Sequence, residues 1–301
     1  MRRRRFLTIG ATAAALAGIP APERRLVSDW HGSALGARAT IRIVHRDRRE
    51  AGRVLEAVAR EIDRLETIFS LYRPHSALVE LNREGRLARP PVELVELMGI
   101  ARALHASTGG AFDMTVQPLF DVHARHAGSE PDAASLERAR KLVDSTAVDI
   151  GLGEIAFRRS GMKATLNGIA QGYITDRVSD RLHDLGLVDT IVDVGEIRAS
   201  GARADGTSWH VGIAGSDRRV ALTNRAIATS SPAGTVFEPT GRLHHLFDPA
   251  TGRPAEHATQ TSILAPTATV ADGLSTAACN LDGNALRDLC RRMRAEPFTT
   301  V

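Results

Sequence analysis

Apolar residues in this 301-residue chain recur at two spacings, and the order of those spacings limits the folds open to it. Residues 40–44 alternate as a strand does, and residues 49–69 then set Val54, Leu55, Val58, Ile62, Leu65, Ile68 and Phe69 on one helical face. Helical spacing returns over residues 92–106 and runs into the stop signal Ser107-Thr-Gly-Gly110. Residues 123–131 read as a polar loop and 132–142 as a short helix. A further helix is predicted from Gly168 to Gly186, with Ile169, Tyr173, Val178 and Leu182 in phase. Strands are predicted at residues 190–194, 209–213, 226–230 and 261–264, and closing helices at 271–279 and 284–293. These elements are interspersed without regular strand–helix–strand alternation, which predicts an α+β fold rather than a doubly wound sheet. No linker divides residues 22–301, so one domain is expected. Aromatic residues make up only 4% of the chain, leaving the core to Leu, Val, Ile and Ala.

The formal charge of +4 would suggest a polyanionic partner, but Arg2, Arg3, Arg4 and Arg5 supply all of it. These arginines precede Phe6, Leu7 and an Ala-rich apolar run from Ile9 to Ile19, with small residues at Ala17 and Ala21. That is the layout of a cleaved export signal over residues 1–21, and the paired arginines are similar to the twin-arginine type. The run is too short to span a bilayer comfortably. Without it the chain is near neutral and lacks the basic footprint of a nucleic-acid binder. A periplasmic location is therefore expected. Cys279 and Cys290 are too few for a disulfide scaffold, and two buried thiols are expected.

Four segments carry more glycine and polar residues than packing explains. Thr108-Gly-Gly-Ala-Phe-Asp-Met-Thr-Val-Gln-Pro-Leu119 lets backbone approach a ligand, and reads equally as a helix stop with a capping Asp113. Ala164-Thr-Leu-Asn-Gly-Ile-Ala-Gln-Gly-Tyr-Ile-Thr-Asp176 brings free N–H groups to a helix onset suited to phosphate, or else packs a helix closely on a strand through Gly168 and Gly172. It is not the Gly-x-Gly-x-x-Gly of dinucleotide folds. His244-His-Leu-Phe-Asp-Pro-Ala-Thr-Gly252 offers His245 for proton transfer, beside a turn made by Asp248. A zinc site from His244, His245 and His257 is disfavoured, because adjacent residues of a strand point apart. In Ala271-Asp-Gly-Leu-Ser-Thr-Ala277, Asp272 and Thr276 share a helical face, with Ser275 close by. One carboxylate with hydroxyl and carbonyl oxygens suits Mg²⁺; read alone, Asp272 is more readily a residue favouring the helix N-terminus.

In order and spacing, these segments resemble the ApbE family of FAD:protein FMN transferases. The resemblance runs from about Ser33 to Asp282 and adds Phe69-Ser-Leu-Tyr-Arg-Pro-His-Ser76, Leu81-Asn82 and Asp193-Val-Gly-Glu-Ile197. The ordered set is specific where no single motif is. Residues 167–177 and 194–198 look most like the NosX branch, which is associated with nitrous oxide reductase maturation and with flavinylation of the membrane protein NosR. The resemblance implies two joined lobes with FAD and Mg²⁺ between them. Leu35, Tyr72, Ala111, Phe112, Asp113, Thr165, Gln171 and Phe247 match FAD-contacting positions. Asp272 and Thr276 match magnesium ligands, with Ser275 a third side chain and the Gly168 carbonyl a backbone ligand. His245 matches the histidine of the family's His-x-x-Asp-Pro motif and is the candidate for proton transfer, with Asp248 either orienting its imidazole or only holding the Asp-Pro turn. Thr165 stands where many members carry an acid, Gln171 where many carry Lys, and the usual glycine pair is Gly195-Glu196. The implied reaction moves FMN from FAD to a partner's threonine and releases AMP. An FAD pyrophosphatase and a non-catalytic FAD carrier are the alternatives.

Overall fold

The alternation read at residues 40–44 belongs to a longer strand, paired with one whose polar sequence concealed it. The computed structural model describes residues 25–126, 128–213, 216–256 and 258–299, so the expected signal and His257 lie outside them. In chain order come β1 (Leu26–Ala34), β2 (Ala37–His45), α1 (Arg48–Phe69), α2 (Ala77–Glu84), β3 (Arg86–Ala88) and α3 (Val92–Ser107). Next are α4 (Gln117–Arg125), α5 (Ala133–Arg140), β4 (Val148–Ile150), β5 (Glu154–Phe157), α6 (Ala170–Asp184), β6 (Thr190–Asp193) and β7 (Ile197–Ser200). The chain ends in β8 (Trp209–Gly212), β9 (Arg219–Leu222), β10 (Arg225–Ser230), β11 (Thr261–Ala265), α7 (Ala268–Ala278), α8 (Gly283–Arg292) and β12 (Glu296–Thr299).

Seven strands form one sheet in the order β1-β2-β6-β7-β10-β11-β12, each neighbouring pair antiparallel. The fold is α+β, as expected. Strand alternation gives the sheet two apolar faces. Ile41, Ile43, Val192, Ala228 and Ile263 join the main core with the apolar faces of α1, α3, α6 and α7. Val44, Ala199, Ile227 and Leu264 face the other way and pack on Trp209, Val211 and Leu222 of the β8–β9 hairpin. The two expected lobes are one domain. A small satellite core of Leu119, Val122, Leu136, Ala139 and Phe247 flanks the main one.

The stripe read on residues 49–69 is the buried face of α1, and Asp47 caps it by accepting the Arg49 N–H at 2.7 Å. Two boundaries differ from expectation. Residues 117–125 are helical where 123–131 were read as loop, because α4 buries only Pro118, Leu119, Val122 and His123 over two turns. Helix α7 starts at Ala268 rather than residue 271, since Thr267 accepts the Val270 N–H at 3.3 Å and caps an earlier turn. Cys279 and Cys290 are buried free thiols, and burial pushes their pKa values up to about 12 and about 11. No helix among the described residues is long and apolar enough to cross a membrane.

Candidate active site

Helices α6 and α7 approach so closely that Gly172 has no room for a side chain: a Cβ there would overlap the Ala268 carbonyl. The approach brings Gly168, Asp272, Ser275 and Thr276 together. Asp272 is 3% exposed, and its Oδ2 accepts the Gly172 N–H at 2.9 Å. One turn on, Thr276 Oγ1 donates to the Gly168 carbonyl at 3.2 Å. Ser275 Oγ donates to the Asp272 carbonyl at 2.9 Å and lies 2.9 Å from Ser230 Oγ at the end of β10.

A second carboxylate stands beside this group, and the sequence reading gave it no role. Glu196 is 8% exposed and accepts the Thr229 N–H at 3.2 Å. Burial and the neighbouring Asp272 push its pKa well above the ordinary value. Burial likewise raises Asp272, to about 7. Neither side chain has a basic partner among the described residues. Buried carboxylates without one hold a proton or a cation. The surrounding donors are all hard oxygens, so these residues fit Mg²⁺. Among the described residues, no three His, Cys, Asp or Glu side chains converge as a metal cluster.

Phosphate was expected at the onset of α6, but the N–H groups there are mostly taken. Ile169 and Ala170 donate to the Leu166 carbonyl, at 3.0 and 2.7 Å, and Gly172 donates to Asp272. The alternative of close packing through Gly168 and Gly172 is what the helices do, against α7 rather than against a strand.

Ala111, Asp113 and Asp248 line a cavity of about 390 Å³ with His105, Gly109 and Asn280. Burial alone would raise the Asp113 pKa. Contacts from His105, Thr115 and Ser145 outweigh it and hold the carboxyl below its ordinary value. The Thr115 N–H at 2.7 Å, the Ser145 N–H at 3.1 Å and Ser145 Oγ at 2.7 Å occupy the carboxylate, so Asp113 braces the loop. Phe112 is buried, its N–H bonded to Thr108 Oγ1 at 3.1 Å. The Thr165 N–H donates to the Met114 carbonyl at 2.8 Å, joining the second segment to the first. Asn280, unnoticed in the sequence, joins the third: its Nδ2 donates to the carbonyls of Ala111 at 3.1 Å and Phe247 at 2.8 Å. The buried Phe247 ring packs 5.0 Å from that of His123. Leu35 and Tyr72 do not line this cavity. They flank the end of α1, where Glu66 accepts from the Leu35 N–H and from Arg73. Tyr72 is 72% exposed.

His245 Nδ1 lies 3.1 Å from the Thr235 carbonyl. A carbonyl only accepts, so Nδ1 carries the proton of the neutral ring and Nε2 is left as the basic nitrogen. Burial lowers the His245 pKa, with the Thr235 contact opposing it, which keeps the ring neutral at pH 7. His244 is buried, and its Nδ1 accepts the Leu246 N–H at 3.3 Å. Asp248 does not orient His245. Its Oδ1 accepts the Ala250 N–H at 2.9 Å and its carbonyl accepts the Gly252 N–H at 2.8 Å, both holding the Asp-Pro turn.

Residues 35–297 match the ApbE family. The chain belongs to that family. It is 27% identical to the FAD:protein FMN transferase of Salmonella typhimurium over 95% of this chain and 87% of that one. Against the FAD:protein FMN transferase of Treponema pallidum, identity is 30% over 76% and 71% of the two chains. The fold matches the apo crystal structure of the flavinyl transferase ApbE of Pseudomonas stutzeri with a TM-score of 0.82, 27% identity and 92% of each chain covered.

Two of the three departures from the ApbE pattern meet in space. Gln171 lies against Gly195, where a Cβ would overlap its side-chain amide, and Gly195 holds a φ of +94° that favours glycine. The next residue is Glu196. Thr165, the third departure, accepts the Asn167 N–H on its Oγ1 at 3.2 Å.

Proposed function

We propose that this chain transfers FMN from FAD to a threonine hydroxyl of a partner protein and releases AMP. The observation that carries the reading is the buried Asp272, without a basic partner, beside the Gly168 carbonyl and the Ser275 and Thr276 hydroxyls. These groups would hold Mg²⁺, which when bound polarises a pyrophosphate and neutralises charge on a departing phosphate. His245 Nε2 takes the proton of the threonine hydroxyl. The hydroxyl oxygen bonds to the FMN phosphorus as the bond from that phosphorus to the AMP oxygen breaks. FAD would be held by the segments around Ala111, Phe112 and Asp113, Thr165 and Gln171, and Phe247, with Leu35 and Tyr72 matched to it by the family resemblance alone.

The acceptor we propose is a NosR-like membrane protein of nitrous oxide reductase maturation. Support comes from the likeness of residues 167–177 and 194–198 to the NosX branch. Incubation with FAD, Mg²⁺ and such an acceptor should release AMP and add the mass of FMN to one threonine-containing peptide. AMP with free FMN in the absence of acceptor would make the protein a pyrophosphatase. No AMP under either condition would make it a carrier.

We also propose export to the periplasm, on the strength of Arg2 to Arg5 and the apolar run behind them. Lysine at all four positions should strand the folded precursor in the cytoplasm, measured by fractionation and immunoblot. Undiminished periplasmic recovery would point instead to an ordinary secretory signal.

A further inference from the structure

Contacts between α6 and α7 recur at four-residue steps. The Gly168 carbonyl meets Thr276 Oγ1 at 3.2 Å, and the Gly172 N–H meets Asp272 Oδ2 at 2.9 Å. Four residues further, the Asp176 carboxylate accepts the Ala268 N–H at 2.9 Å, the Thr269 N–H at 2.8 Å and Thr269 Oγ1 at 2.6 Å. Each step forward through 168, 172 and 176 is a step back through 276, 272 and 268. The two segments therefore run antiparallel, and along α7 the rungs fall one helical turn apart, about 6 Å, since residues four apart share a face. Glycine at both lower rungs lets the backbones meet: a Cβ on Gly168 would lie 2.8 Å from Thr276 Oγ1.

The top rung differs from the other two: the Asp176 carboxylate is taken up by the α7 donors and Arg198, and it acts on Asp272 through its charge. Helix α7 does not need it as a helix stop, since Thr267 already caps the Val270 N–H. What Asp176 adds is location. It binds the first two N–H groups of α7 from another helix, and Arg198 of β7 steadies it, with Nη1 2.9 Å from Asp176 Oδ1 and 3.0 Å from Asp180 Oδ1. Asp176 thus fixes where α7 begins along α6. One and two turns later on the same face stand Asp272 and Thr276.

We propose that Asp176 is a positioning residue for the cation site: it sets the register of α7 on α6, and with it the placement of Asp272 and Thr276 against the Gly168 carbonyl. This rests on the cation site proposed above. A ligand set holds its ion only when kept within about 0.5 Å of the working geometry, and Asp176 holds α7 at the turn from which Asp272 and Thr276 follow.

The test is a Mn²⁺ titration of metal-free protein, read by loss of the free-ion paramagnetic signal, with melting temperature measured in parallel. Asp176→Asn retains size but turns an amide N–H₂ towards the α7 donors. Thr269→Val removes only the hydroxyl leg. Leu222→Ala opens a cavity in the core on the far face of the sheet and serves as the control for lost stability alone. Asp176→Asn should weaken Mn²⁺ binding at least about tenfold, a scale typical of supporting partners of metal ligands. Thr269→Val should weaken it less, and Leu222→Ala should melt earlier yet bind as the unsubstituted protein does. Unchanged affinity in Asp176→Asn and Thr269→Val overturns the register proposal while leaving the cation site standing. Equal weakening in Leu222→Ala overturns it too, since general destabilisation would then suffice. No binding by the unsubstituted protein removes the cation site and the proposal together.

Discussion

Asp272→Ala should stop AMP release while the chain still folds and FAD affinity falls less. Asp272 is the one carboxylate in the group formed by Gly168, Ser275 and Thr276, and its Oδ2 is tied to the Gly172 N–H. Losing an outer partner of a metal ligand already costs about ten- to a hundredfold, so losing the ligand itself should exceed that. Turnover at the unsubstituted rate in low Mg²⁺ would remove Asp272 from the site. The same carboxylate predicts a pH dependence. Burial raises its folded pKa to about 7, above the ordinary carboxylate value of 3.8. The proton it holds therefore stabilises the metal-free protein fully below about pH 4, and that contribution is lost as the pH rises through about 7. Melting temperatures in chelator should fall across that window, and Asp272→Asn should flatten the fall. Cation binding needs the ionised carboxylate, so Mg²⁺ affinity should rise over the same range.

His245→Ala should slow single-turnover flavin transfer by about a hundredfold to ten-thousandfold, the usual contribution of a general base, with FAD affinity and fold retained. The Thr235 carbonyl at 3.1 Å directs the ring so that Nε2 is free to accept a proton. Burial lowers the His245 pKa, so the unsubstituted rate should fall only on the acid side of neutrality, and the substitution should abolish that limb. His244→Ala is the contrast: His244 is buried beside a backbone N–H, and its loss should cost stability more than rate. Asp248→Asn should leave the pH limb in place, because Asp248 Oδ1 serves the Ala250 N–H. Equal, small losses in His245→Ala and His244→Ala would leave the reaction without a side-chain base.

Local periodicity was legible wherever an element buries a continuous stripe. Helix α1 shows its whole apolar face in sequence, and β10 and β11 alternate between two buried sides. Strand β1 did not, because most of its residues lie towards solvent and its pairing with β2 is made by backbone groups common to every residue. Helix α4 was hidden for a related reason: two turns give too few apolar positions to separate a helix from a loop.

The site divides the same way. Asp272, Ser275 and Thr276 could be grouped from the sequence because a helical face and a family resemblance both point to them, and the resemblance alone added Gly168. Glu196, Asn280 and Asp176 could not be given their tasks. Nothing adjacent to Glu196 marks it as buried beside a carboxylate 76 residues later, and nothing near Asn280 announces a bond to Ala111. Asp176 looks in sequence like any polar residue of an amphipathic helix, yet its partners lie 92 and 93 residues away. The sequence by itself determined the longer helices, five of the twelve strands found among the described residues, and which residue types could bind a cation or move a proton, since these follow from side-chain chemistry and from spacings of two to four residues. Only the tertiary structure decided which carboxylates meet and how α7 is registered on α6. Those depend on how far two backbones can approach, and here two glycines and a distant cap decide it.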